Sequence, residues 1–244
     1  KTKTSFDNYD VYRIKQQKGF YNQFTHNALQ VNNGNGRFLE TAFYSGVAAS
    51  DWSWGALMFD ADNDGLTDLF VCNGIARDVT DQDFMNFFGN EVIQQMVITG
   101  KKEDVNKVVN SMPSVPIPNK AYQNRGHLTF KDVGEEWGLS APSFSNGAVY
   151  ADLDNDGDLD LVINNANEKA AIYRNKSREM NENNFVSISL KYKTPNLFAV
   201  GSKIEIYCGD QVLTREVIPS RGFQSCVEHR QTIGLGKRSI DSMV

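Results

Sequence analysis

Apolar and polar residues alternate along much of this chain in short runs, which are separated by Gly, Asn and Asp. The runs fall into two matching sets: "RFLETA", "GALMFD" and "LFVCN" between 37 and 73, and "LTFKDV", "GAVYAD" and "LVINN" between 128 and 165. A period of two places apolar side chains on one face of a strand. The pattern therefore predicts an all-β chain built from short strands.

The two sets are copies of one unit at an offset of 92 residues (152 − 60 = 92). Aligned without a gap, 27–74 and 119–166 are identical at 17 of 48 positions. A third copy starts 51 residues after Asn124 (175 − 124 = 51), where "YQN" recurs as "YRN". Repeats of about this length, made of short strands and turns, are typical of β-propeller blades.

The segment 75–118 has no counterpart in the second copy and follows a different pattern. Phe84, Phe88, Ile93 and Met96 are spaced as on one face of a helix. A second short helix is predicted over 101–111, ahead of the helix-breaking run "MPSVPIPN". We therefore expect a helical insertion between two blades.

Composition narrows the class of protein. The chain has 244 residues, 40% of them hydrophobic, and a mean hydropathy of -0.45, which is typical of a soluble globular protein. It contains no apolar run of the ~20 residues that a membrane span needs. A net charge of -5 argues against a nucleic-acid partner. We expect the chain to be a piece of a longer protein with further blades.

Two acidic loops carry the clearest chemistry. Each reads D-x-D-x-D-G-x-x-D, and oxygen ligands at positions 1, 3 and 5 around a turn-forming glycine are typical of a loop that wraps a hard cation. Position 7 offers its backbone carbonyl, and the aspartate at position 9 completes the shell. The predicted metal ligands are Asp60, Asp62, Asp64, Leu66 (carbonyl) and Asp68, and Asp152, Asp154, Asp156, Asp158 (carbonyl) and Asp160. The Asp158 side chain is expected to be solvated.

The spacing favours Ca²⁺ at two sites, with Mg²⁺ as the less favoured ion because Mg²⁺ prefers a tighter, hydrated octahedron. Position 12 is Val71 in one loop and Ile163 in the other, whereas a helix–loop–helix calcium site takes Glu there. Each loop is therefore expected in a β-hairpin. Protein oxygens fill the predicted shells, so the ions are expected to be structural. Extracellular calcium modules bind at roughly 10⁻⁴ to 10⁻³ M, which favours a location outside the cytosol.

Here the residues resemble known families. "WSWGALMFDADNDGLTDLFVCNG" and "FSNGAVYADLDNDGDLDLVINNA" resemble the FG-GAP (VCBS) repeats of integrin-α-like β-propellers. The tail, with "GSKIEIY", "SRGFQS" and "GLG", resembles the ASPIC/UnbV domain. The pair resembles cartilage-acidic-protein-like proteins and secreted or surface proteins of Bacteroidota-type bacteria. The resemblance implies a calcium-stabilised partial propeller followed by a small β-sandwich or barrel-like domain, at the cell surface, outer membrane or outside the cell.

This organisation gives five predicted segments. They are the end of a preceding blade (1–26), a first FG-GAP repeat (27–74), the helical insertion (75–118), a second repeat with the start of the next blade strand (119–182), and an ASPIC/UnbV-like domain (183–244) that the chain end truncates. Of the three cysteines, Cys208 and Cys226 flank a predicted hairpin. They could form a disulfide, and buried free thiols remain an equal alternative.

Catalytic patterns are not evident, so the leading hypothesis is a non-catalytic binding or scaffold protein with a surface protein or a glycan as partner. The three histidines, His26, His127 and His229, lie far apart in sequence, and no G-x-S-x-G motif occurs. A carbohydrate-active or hydrolytic enzyme with its site in absent blades is the first alternative. A structural subunit of an outer-membrane assembly is the second.

Three further residues are candidates for contact with a partner. Arg221 and Phe223 lie in "SRGFQS", where Gly222 permits a tight turn that would present the guanidinium group. Hydrogen bonds from Arg221 to neighbouring carbonyls are the alternative. Trp54 has Asn146 at the equivalent position of the second repeat, so the repeat itself does not require an aromatic side chain there. It could stack on a sugar ring or pack against the helical insertion.

Overall fold

The computed structural model describes residues 9–21, 25–79, 81, 83–100 and 105–244. Its helices are α1 (Tyr9–Gln17), α2 (Ala42–Ser45), α3 (Asn90–Thr99), α4 (Val105–Ser111) and α5 (Ser177–Asn181), and a π-helix spans Phe84–Gly89. The strands up to residue 173 are β1 (Gln30–Asn32), β2 (Phe38–Glu40), β3 (Ser53–Phe59), β4 (Asp68–Asn73), β5 (Ile117–Pro118), β6 (Lys120–Asn124), β7 (Phe130–Asp132), β8 (Pro142–Ser143), β9 (Ser145–Ala151), β10 (Asp160–Asn165) and β11 (Ala171–Tyr173). The remaining strands are β12 (Asn184–Ile188), β13 (Lys203–Cys208), β14 (Gln211–Glu216), β15 (Gln231–Gly236) and β16 (Ser242–Met243).

The chain forms two compact units, one of Lys1–Asn27 with Ile75–Pro116 and one of Ala28–Gly74 with Ile117–Val244. Helices form in the segment where the sequence predicts them, namely the π-helix, α3 and α4, and the bounds 75–118 of the insertion stay a prediction. The rings of Phe84 and Phe88 stack there with centroids 5.0 Å apart. The stretch 1–26 contains α1 rather than a strand in its described residues, and its assignment to a preceding blade stays a prediction.

The second unit contains two neighbouring antiparallel sheets, and one of them joins β3 and β4 of the first predicted repeat to β6 and β7 of the second. One sheet has the strand order β3-β4-β6-β7 and the other β11-β10-β9. Phe59 pairs with Asp68 at the end of the β3–β4 hairpin, and Ala151 pairs with Asp160 at the end of β9–β10. Both acidic loops therefore connect paired strands. The predicted all-β, propeller-like fold is confirmed, with open sheets.

A shared core fixes the two sheets against each other. Alternate residues of β3 point inward, and Leu57 is 1% exposed. Phe70 is 2% exposed on β4. Burying a side chain of this size contributes about 1.5–3 kcal/mol to folding. The buried members of this core are Leu57, Phe70, Cys72, Ala121, Val133, Ala148, Leu161 and Ile163.

The C-terminal domain (183–244) has its own core. Its sheets are β12–β15 and β14–β13–β16, and they bury Ile204, Ile206, Val217, Ile233 and Leu235 between them. The alternation in β13 accounts for this, because its even-numbered residues are the buried ones. A small two-sheet β domain is what the tail sequence predicts.

All three cysteines are free thiols. Cys208 is buried and Cys226 is exposed, so the possible disulfide between them is not formed. Burial raises the pKa of Cys72 to about 12, which keeps this thiol protonated at neutral pH. In the described part of the chain, no helix is both long and apolar enough to span a membrane.

Candidate metal centre

Two clusters of carboxylates form at the hairpin ends that the sequence marks. In the first acidic loop (60–68), oxygens of Asp60, Asp62 and Asp68 lie within 4.8 Å of one another, and all three residues are buried. In the second acidic loop (152–160), the same spacing joins Asp152, Asp154 and Asp156. The structure thus brings together six of the predicted ligand side chains. The assignment of individual ligands stays a prediction.

The carboxylates also shape the turns. The Asp60 carboxylate accepts hydrogen bonds from the backbone N–H of Asp64 (3.1 Å) and of Gly65 (2.9 Å). Gly65 has a φ of 90° and Gly157 a φ of 92°, a region that favours glycine. The sharp turn that brings positions 1, 3 and 5 together therefore depends on these two features of the motif.

The ninth-position aspartates connect each loop to a later segment of the chain. Asp68 accepts hydrogen bonds from the N–H groups of Ala61 (3.0 Å) and Asn124 (2.8 Å). Asp160 repeats this with Leu153 (2.9 Å) and Asn175 (2.8 Å). Asn124 and Asn175 are the asparagines of "YQN" and "YRN", so their recurrence reflects a structural need of each acidic loop.

Burial makes ionisation of the first loop costly. Burial, with the charge of Asp64 as the next cause, raises the pKa of Asp60 from 3.8 to about 7. Burial likewise raises the pKa of Asp68 from 3.8 to about 8. Several carboxylates held together in a low-dielectric site repel one another. A divalent cation would offset this repulsion.

The second loop is more exposed than the first, and its carboxylates already contact the guanidinium group of Arg174. Arg174 Nε lies 2.7 Å from Asp154, and Arg174 Nη2 lies 3.0 Å from Asp156. Although partial burial opposes the change, hydrogen bonds from the Asp158 N–H and from Arg174 lower the pKa of Asp156. Asp156 therefore holds its charge more readily than Asp60 or Asp68 does.

The donor set fits a hard divalent cation. Every predicted ligand atom is a carboxylate or carbonyl oxygen, the donor type that Ca²⁺ and Mg²⁺ prefer. Asp152 is 6% exposed, and its Oδ1 is buried without a hydrogen-bond partner among the described residues. A buried carboxylate oxygen without a partner is costly, and a cation would satisfy it.

The prediction that the Asp158 side chain is solvated is wrong. Asp158 is 0% exposed, and its Oδ1 accepts hydrogen bonds from Asn63 Nδ2 (2.7 Å) and Ser177 Oγ (3.0 Å). Its Oδ2 accepts the backbone N–H of Arg178 (2.9 Å). The carboxylate thus caps the first turn of α5, which lies outside the loop motif. The role of the Asp158 carbonyl as a ligand stays a prediction.

Asn63 connects the two acidic loops, a contact that the loop pattern did not single out. It is 1% exposed, has a φ of 58°, and its Nδ2 donates to Gly157 O (3.0 Å) as well as to Asp158. Asn155 is its counterpart, with a φ of 63°, but is exposed. The sequence signal was the shared asparagine at position 4, since Asn is the ordinary side chain most tolerant of a left-handed backbone.

We expect Asn63→Ala to destabilise the protein by about 2 kcal/mol more than Asn155→Ala does. Both changes remove an asparagine from a left-handed position, so the strain is matched. Only Asn63→Ala also leaves the buried Gly157 carbonyl and one Asp158 oxygen short of a donor. Urea unfolding in calcium measures the difference, and equal midpoints would contradict a connection between the loops through Asn63.

The candidate partner residues lie together where the C-terminal domain meets the repeats. The Trp54 ring packs 5.0 Å from that of Phe223 and 5.9 Å from that of Trp52, and Trp54 remains 37% exposed. Arg221 donates to the carbonyls of Ile218 (3.0 Å) and Glu216 (3.3 Å). The arginine is therefore engaged with its own domain. A role of these residues toward a partner stays a prediction.

Glycines of both repeats make room for Phe223. A Cβ on Gly55 would lie 3.4 Å from Phe223 N, and one on Gly147 would lie 3.2 Å from Phe223 O. Gly55 and Gly147 occupy equivalent positions of the two repeats. One loop of the C-terminal domain is thus packed against both repeats.

Comparisons with known proteins agree with this architecture. The family model described as "FG-GAP-like repeat" matches residues 108–163, and the model "ASPIC and UnbV" matches residues 192–244. A search of curated proteins returned no match. The first match begins in the segment 75–118 and extends through the second acidic loop, and the second match covers the C-terminal domain from residue 192 onward. The two matches support an architecture that combines an FG-GAP-like repeat with an ASPIC/UnbV domain.

Proposed function

We propose that this chain is a non-catalytic binding module in which two Ca²⁺ ions stabilise FG-GAP-like repeats, and that it acts at a cell surface or outside the cell. The observation that carries the proposal is the pair of oxygen-only clusters, one of them with a buried oxygen of Asp152 that has no described partner. Millimolar calcium outside cells would fill loops of this affinity class. Surface location, and likeness to cartilage-acidic-protein-like or Bacteroidota-type proteins, belong to the same proposal.

A glycan or a surface protein is the proposed partner. Between the two repeats lies a cavity of about 410 Å³ that combines aromatic side chains with polar groups. Its lining includes the aromatic residues Trp137 and Tyr173 and the polar residues Gln123, Glu136 and Arg174. Aromatic faces with a few converging polar groups suit a sugar ring. This cavity is a better candidate for a glycan-binding site than Trp54, because the Trp54 ring already packs on Phe223.

Calorimetric titration with oligosaccharides, alongside capture of partners from surface extracts, tests the proposed binding role. Saturable binding that requires calcium would support it. Turnover of a glycan or ester substrate by the purified chain would instead favour the hydrolytic alternative. Stoichiometric co-purification with an outer-membrane complex would favour the structural-subunit alternative.

Replacing Asp154 and Asp156 together by Ala is expected to remove about half of the stabilisation that calcium gives, because one of the two proposed sites is lost. Differential scanning calorimetry with calcium and with EDTA measures this. Asp132→Ala is the control, since Asp132 forms a surface ion pair with Lys120 (2.6 Å) outside both loops. A double variant with the full parental response to EDTA would contradict the assignment of the second site.

A further inference from the structure

The C-terminal domain contacts the backbone of the first acidic loop. Gly236 N–H donates to Asn63 O (2.8 Å), and Arg238 Nη1 donates to Asp64 O (2.8 Å). Asn183 Nδ2 donates to Asp62 O (2.9 Å). These contacts join residues more than a hundred positions apart, and each reaches a carbonyl of the segment that carries the clustered carboxylates.

The same domain contacts the second acidic loop through a different pair of residues. Glu228 Oε1 accepts the N–H of Asp152 (2.9 Å). Arg230 donates from Nη2 to Asp152 O (2.7 Å) and from Nη1 to Asn155 Oδ1 (2.6 Å). Arg230 Nη2 also lies 3.5 Å from Asp152 Oδ2. Both loops are therefore covered by one domain.

The fit is close at three glycines: a side chain on Gly234 or Gly157 would overlap backbone or an aromatic ring, whereas one on Gly65 would meet the flexible end of Arg238. A Cβ on Gly234 would lie 2.3 Å from Asp60 Oδ2 and 2.4 Å from Asn63 Cα. A Cβ on Gly65 would lie 2.7 Å from Arg238 Nη1, and one on Gly157 would lie 2.3 Å from the Phe185 ring. Gly157 is thus needed for close approach of the C-terminal domain as well as for the turn.

We propose that the ASPIC/UnbV-containing C-terminal domain is an intramolecular partner of the two acidic loops, and that cation loading of the loops controls its docking. The inference rests on the proposed cation binding. The domain contacts loop carbonyls and amides whose positions follow from how the carboxylates converge. Without a cation the clustered carboxylates repel and the loops open, so the docking surface is lost. Because linkage is reciprocal, a well-docked domain must raise the cation affinity by the same factor.

Amide hydrogen exchange in calcium and in EDTA tests this proposal. The Gly236 N–H bonds across the interface to Asn63 O, whereas Glu205 N–H and Val244 O (2.8 Å) pair within the C-terminal domain. In EDTA, exchange at Gly236 is expected to accelerate at least about tenfold, with little change at Glu205. Equal acceleration at both amides would mean that the domain unfolds rather than undocks, and would overturn the proposal.

Gly234→Ala tests the reverse direction of the coupling. This change lies in the C-terminal domain and is expected to weaken calcium binding by about 5- to 100-fold, the usual range of coupling between sites. Because the added Cβ would also meet Asp60, a predicted ligand, Arg238→Gln must weaken binding too for the coupling to stand. Gly209→Ala is the control, because a Cβ on Gly209 meets nothing within 4 Å although its backbone is left-handed. Arg238→Gln, which removes the hydrogen bond to Asp64 O, provides a second variant if Gly234→Ala does not fold.

The outcomes separate this proposal from the proposed function. If calorimetry detects no calcium binding to the parent protein, cation binding itself is refuted. If the parent binds calcium while Gly234→Ala and Arg238→Gln bind it as tightly as the parent does, cation binding stands and the coupling is refuted. Weaker calcium binding by both variants, with Gly209→Ala unchanged, supports the coupling.

Discussion

Removal of divalent cations with EDTA is expected to lower the melting temperature by about 6 °C or more relative to about 10 mM CaCl₂. With a Kd of roughly 10⁻⁴ to 10⁻³ M, that concentration is about 10 to 100 times Kd and stabilises the folded state by about 1.4–2.7 kcal/mol per site, so two filled sites contribute about 3–5 kcal/mol. In a chain of this size, each kcal/mol corresponds to about 2–4 °C. The physical origin is the set of buried carboxylates, which repel one another until a cation offsets their charge.

Scanning calorimetry in calcium, magnesium and EDTA provides the measurement. Mg²⁺ is expected to restore less stability than Ca²⁺ at equal concentration, because it gives up its water ligands reluctantly. Superimposable melting curves in calcium and EDTA would contradict cation binding by either loop. A larger response to Mg²⁺ than to Ca²⁺ would retain the sites and change the ion.

Asp60→Asn is expected to have opposite effects with and without calcium. In EDTA near about pH 8, the variant should be more stable than the parent by about 2 kcal/mol. The variant removes a carboxyl group whose pKa burial raises to about 7 and which the folded parent must therefore ionise at this pH. Against this gain, the variant loses one of the two hydrogen bonds that the carboxylate accepts. In calcium the variant should be the less stable protein, because a proposed ligand is lost.

The pH dependence should follow from the same carboxylates. Burial raises the folded-state pKa of Asp60 from 3.8 to about 7 and that of Asp68 from 3.8 to about 8. The folded protein therefore favours the protonated form of both groups, and their contribution to the free energy of unfolding is fully present below pH 3.8. It is lost as the pH rises through about 7 and 8 in the chelated protein. Calcium should reverse this trend, because it binds the ionised groups. A calcium effect that is constant between about pH 5 and 8 would contradict the linkage.

The acidic loops could be predicted from sequence because their structure is local. Asp60 and Gly65 lie within one turn, and their hydrogen bonds need no distant residue. The offset of 92 residues then identified the second loop (152 − 60 = 92). Alternating apolar positions predicted the flanking strands, since the burial of one face determines their register.

What could not be predicted depends on contacts between distant segments. The buried state of Asp158 follows from α5 and from Asn63, neither of which belongs to its loop. Gly234 faces Asp60 only because the C-terminal domain docks on the loop. A glycine in a strand signals a close approach without naming the segment that approaches.

Gly55 and Gly147 stand at matching places in two copies of one unit, yet both adjoin a single residue, Phe223, of a domain that occurs once. A longer row of such units would contain several equivalent pairs of glycines, whereas one loop can occupy only one pair. Contacts specific to the adjoining loops, such as Arg230 with Asn155, would then decide which pair is occupied. The C-terminal domain would thereby pack on one specific pair of neighbouring repeats among otherwise equivalent pairs.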